Sequence, residues 1–544
     1  MNMTSASSQH RVFLYDTTLR DGSQEANVNF SASDKVKIVE KLDKLGIHYI
    51  EPGFAGSNKV DDQVFRQLST MDLGARITAF GMTRRPSSQV EDDASIKALL
   101  KAGTPAVTIV GKSWDRHVTN VLRTSLEENL AMVADSTRYL KSQGREVIFD
   151  AEHFFDGYKH NPKYAMDVLK AAQKEKADWI VLCDTNGGVL PHEVEQIIDD
   201  VRKDITVRLG IHCHDDAGVS QANSLVAVVH GASQVHGTIN GLGERCGNCN
   251  LTTLIPNLKL KMGFADVISN EQLKRLKEIS TFIYEVANMK EEVGHPYVGA
   301  NAFTHKGGMH SDAILKDVVS YEHVDPGLVG NERRISISDL AGKAAIFEKA
   351  KELCIDLEKD DEKAKAILAN IKVLQNDGFA YESADASLEL LMKGTAQDPS
   401  NPGRLKNKFF TLERFRVITE VNGDGQPRSE ATIKVRVNDR DFLTAAEGNG
   451  PVNALDNALR KSLEHFYPEV RDMALSDYKV RITDQSGTGS KVRVLIETRD
   501  GEKTWTTVGA SENILWASWI ALADSICYKL LKGLEAKGFS IKNH

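Results

Sequence analysis

Cysteine is scarce in this chain: six among 544 residues, Cys183, Cys213, Cys246, Cys249, Cys354 and Cys527. A disulfide scaffold would need many more, so the usage points to a reducing compartment, the cytoplasm. The single C-x-x-C, Cys246 to Cys249, has no second pair to complete a zinc or redox motif. Basic residues are not in excess either. Lys and Arg number 68 against 76 Asp and Glu, a formal net charge of −8. That excludes a general attraction to nucleic acid or to an anionic membrane. The opening residues, MNMTSASSQH, lack a basic flank and an apolar core, so no secretory signal is expected. No window is read as approaching the apolar length of a membrane span. What remains is 41% hydrophobic and 26% charged, the composition of a soluble globular protein with length for two or three domains.

The first 240 residues have a rhythm. Short β-rich runs recur at 11–16 (RVFLYD), 48–52, 76–80, 106–110, 146–150, 179–184, 207–212 (VRLGIH) and 234–239 (QVHGTI). Helical patterns lie between them. Residues 31–46, SASDKVKIVEKLDKLG, start with Ser and Asp, repeat apolar residues at helical spacing and end in Gly. Such alternation implies parallel β/α units, and eight of them close a (β/α)8 TIM barrel. An open doubly wound sheet is the alternative. Asp16, Glu51, Asp150, Asp184 and His212 stand where the predicted strands end. One such residue is a helix cap; several, on different strands, converge on one mouth if the barrel closes.

After residue 285 the rhythm breaks. EEVGHPYVGANAFTHKGGMHSDAILKD reads as irregular loop, 339–378 as a charged, solvated helical stretch, and 392–408 as a turn-rich linker. Beyond it, 409–421, 430–437, 491–500 and 503–510 alternate like antiparallel strands, with helical runs at 453–466 and 512–534. These patterns give an α+β domain separate from the barrel. The expected domains are 1–285 (catalytic barrel), 286–391 (a small helical linker region) and 392–544 (the C-terminal α+β domain).

The chemistry concentrates in LGIHCHDD, residues 209–216. Side chains alternate across a strand, so His212 and His214 share a side and offer two imidazoles to one metal ion. The alternative is a structural pair that binds nothing. In DTTLRDGSQ, Arg20 and Asp21 lie just past the first strand. There an acid can ligate a metal while the arginine polarises a carbonyl; an ion pair that only closes the barrel is the equal alternative.

Taken together, LYDTTLRDGSQ, FDAEHFFDG, LCDTNGG, GIHCHDD, GTINGLGERCGN and HKGGMHSDA resemble, in this order, the metal-dependent Claisen-condensing enzymes. These are the relatives of 2-isopropylmalate synthase, homocitrate synthase and citramalate synthase. The likeness spans nearly the whole chain. It is greatest for the citramalate synthase type, through GKSWDRHVTNVLRTSLEENL and NERRISISDLAGK. The resemblance implies that Asp21, His212 and His214 hold a divalent ion, Mg²⁺ or Mn²⁺ with Zn²⁺ as an alternative, with Asn248 near it. It implies that Arg20 stabilises the alkoxide forming on a ketone oxygen. Thr185 would bind a 2-oxo acid carboxylate, and Glu152 would lie near the reacting carbons. His310 and Tyr321 match residues that help deprotonate acetyl-CoA, contributed across a dimer. His305 is read as structural. The expected activity is condensation of acetyl-CoA with pyruvate, and the C-terminal segment resembles a regulatory dimerisation domain whose effector would be isoleucine.

Two positions depart from the family pattern: Asp215 replaces the Asn of H-x-H-N-D, and Cys213 stands where small residues are usual. Three rival readings stand beside this one. A sister synthase would use 2-oxoisovalerate or 2-oxoglutarate. A lyase of the 3-hydroxy-3-methylglutaryl-CoA type would run the chemistry in reverse, but such lyases lack the long C-terminal domain. A non-catalytic amino-acid sensor would bind a ligand without releasing CoA.

Overall fold

Eight parallel strands close a barrel in the computed structural model. They are β1 (Phe13–Asp16), β2 (Tyr49–Ile50), β3 (Arg76–Met82), β4 (Ala106–Lys112), β5 (Glu146–Glu152), β6 (Trp179–Asp184), β7 (Arg208–Cys213) and β8 (Ala232–Gly237). The structure describes residues 11–537 apart from 307, 338–341, 358–360, 399–408, 422, 424, 484–486 and 502. Closure comes from β8 pairing with β1, Phe13 opposite Gln234 through Asp16 opposite Gly237. The rhythm in the sequence thus resolves as the barrel rather than the open sheet. The last strand begins two residues earlier than the run QVHGTI suggests.

The first crossover helix, α1 (Ala32–Leu45), starts where the sequence places it. Ser31 Oγ accepts from the Asp34 N–H at 3.2 Å and Asp34 accepts from the Ser31 N–H at 3.1 Å, a reciprocal cap. Its Ile38, Val39, Leu42 and Leu45 are fully buried against the barrel. Strand alternation divides the interior into two layers. Phe13, Tyr15, Tyr49, Ile148, Trp179, Val181 and Cys183 pack together inside the barrel. Their neighbours Leu14, Ile180, Leu182, Leu209 and Ile211 join the larger core under the helices. After β7, α2 (Ser220–Val229) leads to β8.

The chain forms two compact units. The first runs to Phe303 and includes Val324–Arg333; the second takes Thr304–His323 and Arg334 onward. The second unit contains α3 (Gly308–Lys316), α4 (Lys343–Glu352), α5 (Asp361–Asn376) and α6 (Asp385–Gln397). The segment expected as loop around HKGGMHSDA therefore carries a helix, α3. The expected linker is also revised: residues 392–397 close α6, with Met392 and Thr395 fully buried. The rest of it, 399–408, lies outside the described residues.

Two three-stranded antiparallel sheets follow. β9 (Thr411–Val421), β10 (Pro427–Val437) and β11 (Arg440–Gly448) lead into α7 (Pro451–Leu463). β12 (Ala474–Ile482), β13 (Val492–Arg499) and β14 (Thr504–Ser511) lead into α8 (Ile514–Ala536). The same strand–strand–strand–helix unit is thus built twice. α8 corrects the reading that no window reaches spanning length: its 23 residues are long and apolar enough. Its apolar face is taken up inside this unit, where Ala517, Trp519, Leu522, Ile526 and Leu530 are buried with the inward residues of β10 and β13.

Candidate active site

On β7, Leu209, Ile211 and Cys213 pack outward into the main core, so His212 faces the barrel interior. His214, just beyond the strand, follows the same alternation. Asp21 reaches them from the turn after β1. That turn is set by Asp16, whose carboxylate accepts the Thr18 N–H at 3.0 Å and the Thr18 hydroxyl at 2.7 Å. Asp21 Oδ2 lies 3.2 Å from His212 Nε2 and 3.9 Å from His214 Nε2. The three ligand atoms lie within 4.8 Å of one another, and all three residues are buried.

The charges suit a cation. Burial opposes ionisation of Asp21, but the Arg20 guanidinium and His212 outweigh it and hold the carboxyl well below the usual range. Burial, then His212, pushes His214 down to about 4, leaving a neutral imidazole with a free lone pair. One carboxylate oxygen and two imidazole nitrogens converging in a buried mouth fit a divalent metal ion.

Asn248 lies beside this trio, bridged through the backbone to His214. Its Nδ2 donates to Leu242 O at 3.0 Å, while its Oδ1 is buried with no hydrogen-bond partner among the described residues. The glycines of GLGERCGN make room for it. A Cβ on Gly243 would stand 2.2 Å from Asn248 Nδ2. Gly247 takes φ +88° with a Cβ position 2.0 Å from Gly241 O, so no other residue fits there.

Arg20 is fixed on three sides. Its Nε donates to Glu51 Oε1 at 2.5 Å, its Nη1 lies 3.4 Å from Asp21 Oδ2, and its guanidinium sits 3.9 Å above the Phe80 ring. Glu51 also accepts from the Tyr15 hydroxyl at 2.5 Å, and Tyr15 meets Thr108 Oγ1 at 2.6 Å. This buried chain, and the His236 ring stacked on Tyr15 at 3.8 Å, escaped the sequence reading. Tyr15 and His236 look there like ordinary strand residues. Glu51 was visible only as a strand-end acid.

The other strand-end acids divide by role. Asp16 caps its turn, and Asp184 accepts the Gly188 and Val189 N–H groups at 3.2 Å each. Asp150 is buried with Oδ1 unpartnered among the described residues, and burial pushes its carboxyl up to about 7. Glu152, at the end of β5, pairs with Lys112. The Thr185 hydroxyl accepts the backbone N–H of His153 at 2.8 Å. Arg245, also missed by the sequence reading, donates through Nε and Nη2 to the two Asp216 oxygens at 2.8 Å each, and to Thr185 O at 2.9 Å. It ties three mouth loops together.

His310 and Tyr321 lie in the second compact unit, their rings stacked with centroids 4.3 Å apart. Tyr321 is 47% exposed. His305 pairs with the buried Glu322 at 3.2 Å, as a structural residue does. Asp215 braces the loop before α2: its Oδ1 accepts the N–H of Ser220, the first residue of that helix, at 2.9 Å from five residues upstream. Cys246 is exposed and Cys249 buried, and neither joins the ligand trio.

Three family models match the chain. HMGL-like covers residues 11–283, a homocitrate synthase post-HMGL domain-like model 297–378, and a LeuA allosteric (dimerisation) domain 382–530. Among curated proteins, the (R)-citramalate synthase of Aquifex aeolicus is 52% identical over 531 residues, 96% of this chain and 99% of that protein. The (R)-citramalate synthase of Geobacter sulfurreducens is 52% identical over 97% of this chain and 99% of its own length. A 2-isopropylmalate synthase from Methanocaldococcus jannaschii is more distant, 31% identical over 95% of this chain and 94% of its own. Similarity of that extent, over a barrel whose mouth gathers Arg20, Asp21, His212 and His214, places the chain in the citramalate synthase family of Claisen-condensing acyltransferases.

Proposed function

We propose that this chain condenses acetyl-CoA with pyruvate and water to give citramalate and CoA. The observation that carries the chemistry is the buried Asp21–His212–His214 trio beside the fixed Arg20. The choice of pyruvate is supported by the near-full-length relatives.

Asp21, His212 and His214, with Asn248 beside them, would hold a divalent cation, which when bound would supply Lewis acidity toward a 2-oxo acid. The remaining steps belong to the chain. The Thr185 hydroxyl donates a hydrogen bond to the substrate carboxylate. His310 and Tyr321 are assigned removal of a proton from the acetyl methyl group, whose weak acidity requires a positioned base. The resulting carbon nucleophile bonds to the ketone carbon, and the carbonyl π electrons move to oxygen. Arg20, whose Nη groups are not spent on Glu51, meets that developing negative charge. Glu152, charge-paired with Lys112, borders the reacting carbons. A proton converts the alkoxide to the hydroxyl of the product. Water then adds to the thioester carbonyl and CoA leaves as the thiol, which makes the sequence irreversible.

The C-terminal segment, 392–544, is assigned regulation by isoleucine, the end product of a pyruvate route through 2-oxobutyrate, and assembly as a homodimer. The match to an allosteric dimerisation domain supports this. The six free cysteines support a reducing, cytoplasmic setting. The test is thiol release from acetyl-CoA with pyruvate and Mg²⁺ or Mn²⁺, with and without isoleucine. Turnover that isoleucine lowers is expected. Turnover indifferent to isoleucine contradicts the regulatory assignment, and no thiol release contradicts the catalytic one.

A further inference from the structure

His153 occupies an unusual backbone position, φ +56° and ψ +33°, between the end of β5 and the short helix Phe154–His160. Left-handed backbone is uncommon outside glycine; Asn, Asp and His tolerate it best, and β-branched residues worst. The conformation has a visible consequence. It turns the His153 N–H onto Thr185 Oγ1 at 2.8 Å, joining the β5 loop to the β6 loop.

A hydroxyl carries one proton and two acceptor lone pairs. Once an N–H occupies a lone pair, the Thr185 proton must point elsewhere, and it donates to no described residue. The loop therefore presents an unspent hydroxyl proton, which is what a carboxylate requires, on an oxygen anchored through one of its lone pairs.

The His153 side chain holds this backbone in place. The ring is buried, with Nδ1 3.1 Å from Asp156 Oδ2. Asp156 Oδ2 also accepts from Asn186 Nδ2 at 3.0 Å, and Asn186 follows Thr185 in the chain. The contacts close a ring: Thr185, the His153 backbone, the His153 imidazole, Asp156, Asn186 and back to Thr185. The His117 ring lies against the imidazole with centroids 4.1 Å apart, tilted by 53°.

We propose that His153 is a positioning residue for the 2-oxo acid: its left-handed backbone, clamped by Asp156 and Asn186, sets the Thr185 hydroxyl as the donor to the substrate carboxylate. This rests on the assignment of Thr185 to that carboxylate.

The test is steady-state kinetics of the full-length enzyme with pyruvate, acetyl-CoA and Mn²⁺, on His153→Val, His153→Asn, Thr185→Val and the double variant His153→Val/Thr185→Val. Losing a hydrogen bond to a charged group weakens binding about tenfold or more. Thr185→Val and His153→Val should each raise KM for pyruvate by about that factor, with KM for acetyl-CoA unchanged. The double variant should be no worse than Thr185→Val alone, because both remove one interaction. His153→Asn tolerates the left-handed region but lacks the imidazole held by Asp156, so it should raise KM less than His153→Val does. Mn²⁺ binding, followed by electron paramagnetic resonance, should not change.

An unchanged KM in Thr185→Val overturns the Thr185 assignment. A raised KM there with an unchanged KM in His153→Val overturns the His153 inference alone. Additive effects in the double variant overturn it too, as does a His153→Asn enzyme as impaired as His153→Val. If His153→Val does not fold, His153→Ala is read by the same criteria.

Discussion

Replacing Arg20 by lysine keeps the charge and removes the planar fork. In the native site the guanidinium plane is fixed by Glu51 at 2.5 Å, by Phe80 at 3.9 Å and by the neighbouring Asp21 at 3.4 Å. Its remaining Nη donors are thereby aimed without further ordering. A lysine ammonium can neutralise Glu51, but it cannot hold Glu51 and a substrate oxygen in that fixed geometry. The charge it should meet develops only in the transition state, so the loss falls on kcat rather than on KM. Removing one such preorganised donor costs about 10²- to 10³-fold in kcat, or about 3–4 kcal/mol of barrier. The fold should survive, because Glu51 keeps a cation and the Tyr15 hydroxyl. Arg20→Ala, by contrast, leaves a fully buried carboxylate with Tyr15 alone and should cost about 3–5 kcal/mol of stability. The assay is continuous detection of CoA thiol with saturating pyruvate and Mn²⁺, paired with thermal unfolding. A lysine variant with kcat within about fivefold of the parent would refute the assigned role.

Three further outcomes follow from the geometry. His212→Ala removes one of three ligand atoms and should abolish both turnover and tight Mn²⁺ binding; likewise a chelator should silence the parent enzyme until Mg²⁺ or Mn²⁺ is restored, and normal turnover in either case sinks the metal assignment. Asp215→Asn keeps an oxygen for the Ser220 N–H and should leave kcat unchanged. Asp215→Ala loses that hydrogen bond to the first turn of α2 and should cost about 1 kcal/mol in thermal unfolding, with equal melting of the two variants arguing against a stabilising role for the contact. Glu389 is buried in α6 against Lys393 and Lys532, which Glu535 also contacts. Glu389→Gln should therefore cost about 2 kcal/mol, less than a fully broken buried pair; an unshifted melting curve would count against that ion cluster.

The barrel was readable because its strands are apolar runs at regular spacing, and His212 and His214 because alternation decides which way they face. The clustering of Asp16, Glu51, Asp150 and Asp184 at strand ends was a true sign of the mouth, yet it hid two kinds of acid. Asp16 and Asp184 satisfy nearby backbone, whereas Glu51 holds Arg20 through a contact 31 residues apart in sequence. No local pattern marks such a pair. Nor does periodicity reveal β12, whose residues are mostly exposed on both faces, or β11, where half-buried and exposed positions alternate but the sequence RDFLTAAEG does not alternate apolar with polar. The start of the expected linker failed for the converse reason: Lys393, Gly394 and Thr395 look like a helix end, but packing of Met392 and Thr395 carries α6 through them. The apolar length of α8 was underestimated because its small residues, Ala517, Ser518, Ala521 and Ser525, read as polar or neutral while serving as core.

The measurement closest to the central claim is free-thiol release from acetyl-CoA across pyruvate, 2-oxobutyrate, 2-oxoisovalerate and 2-oxoglutarate, with Mg²⁺ or Mn²⁺ present. A strong preference for pyruvate, measured as kcat/KM, with citramalate as the product, is expected. A preference for a larger acid, or no thiol release with any of them, would contradict it.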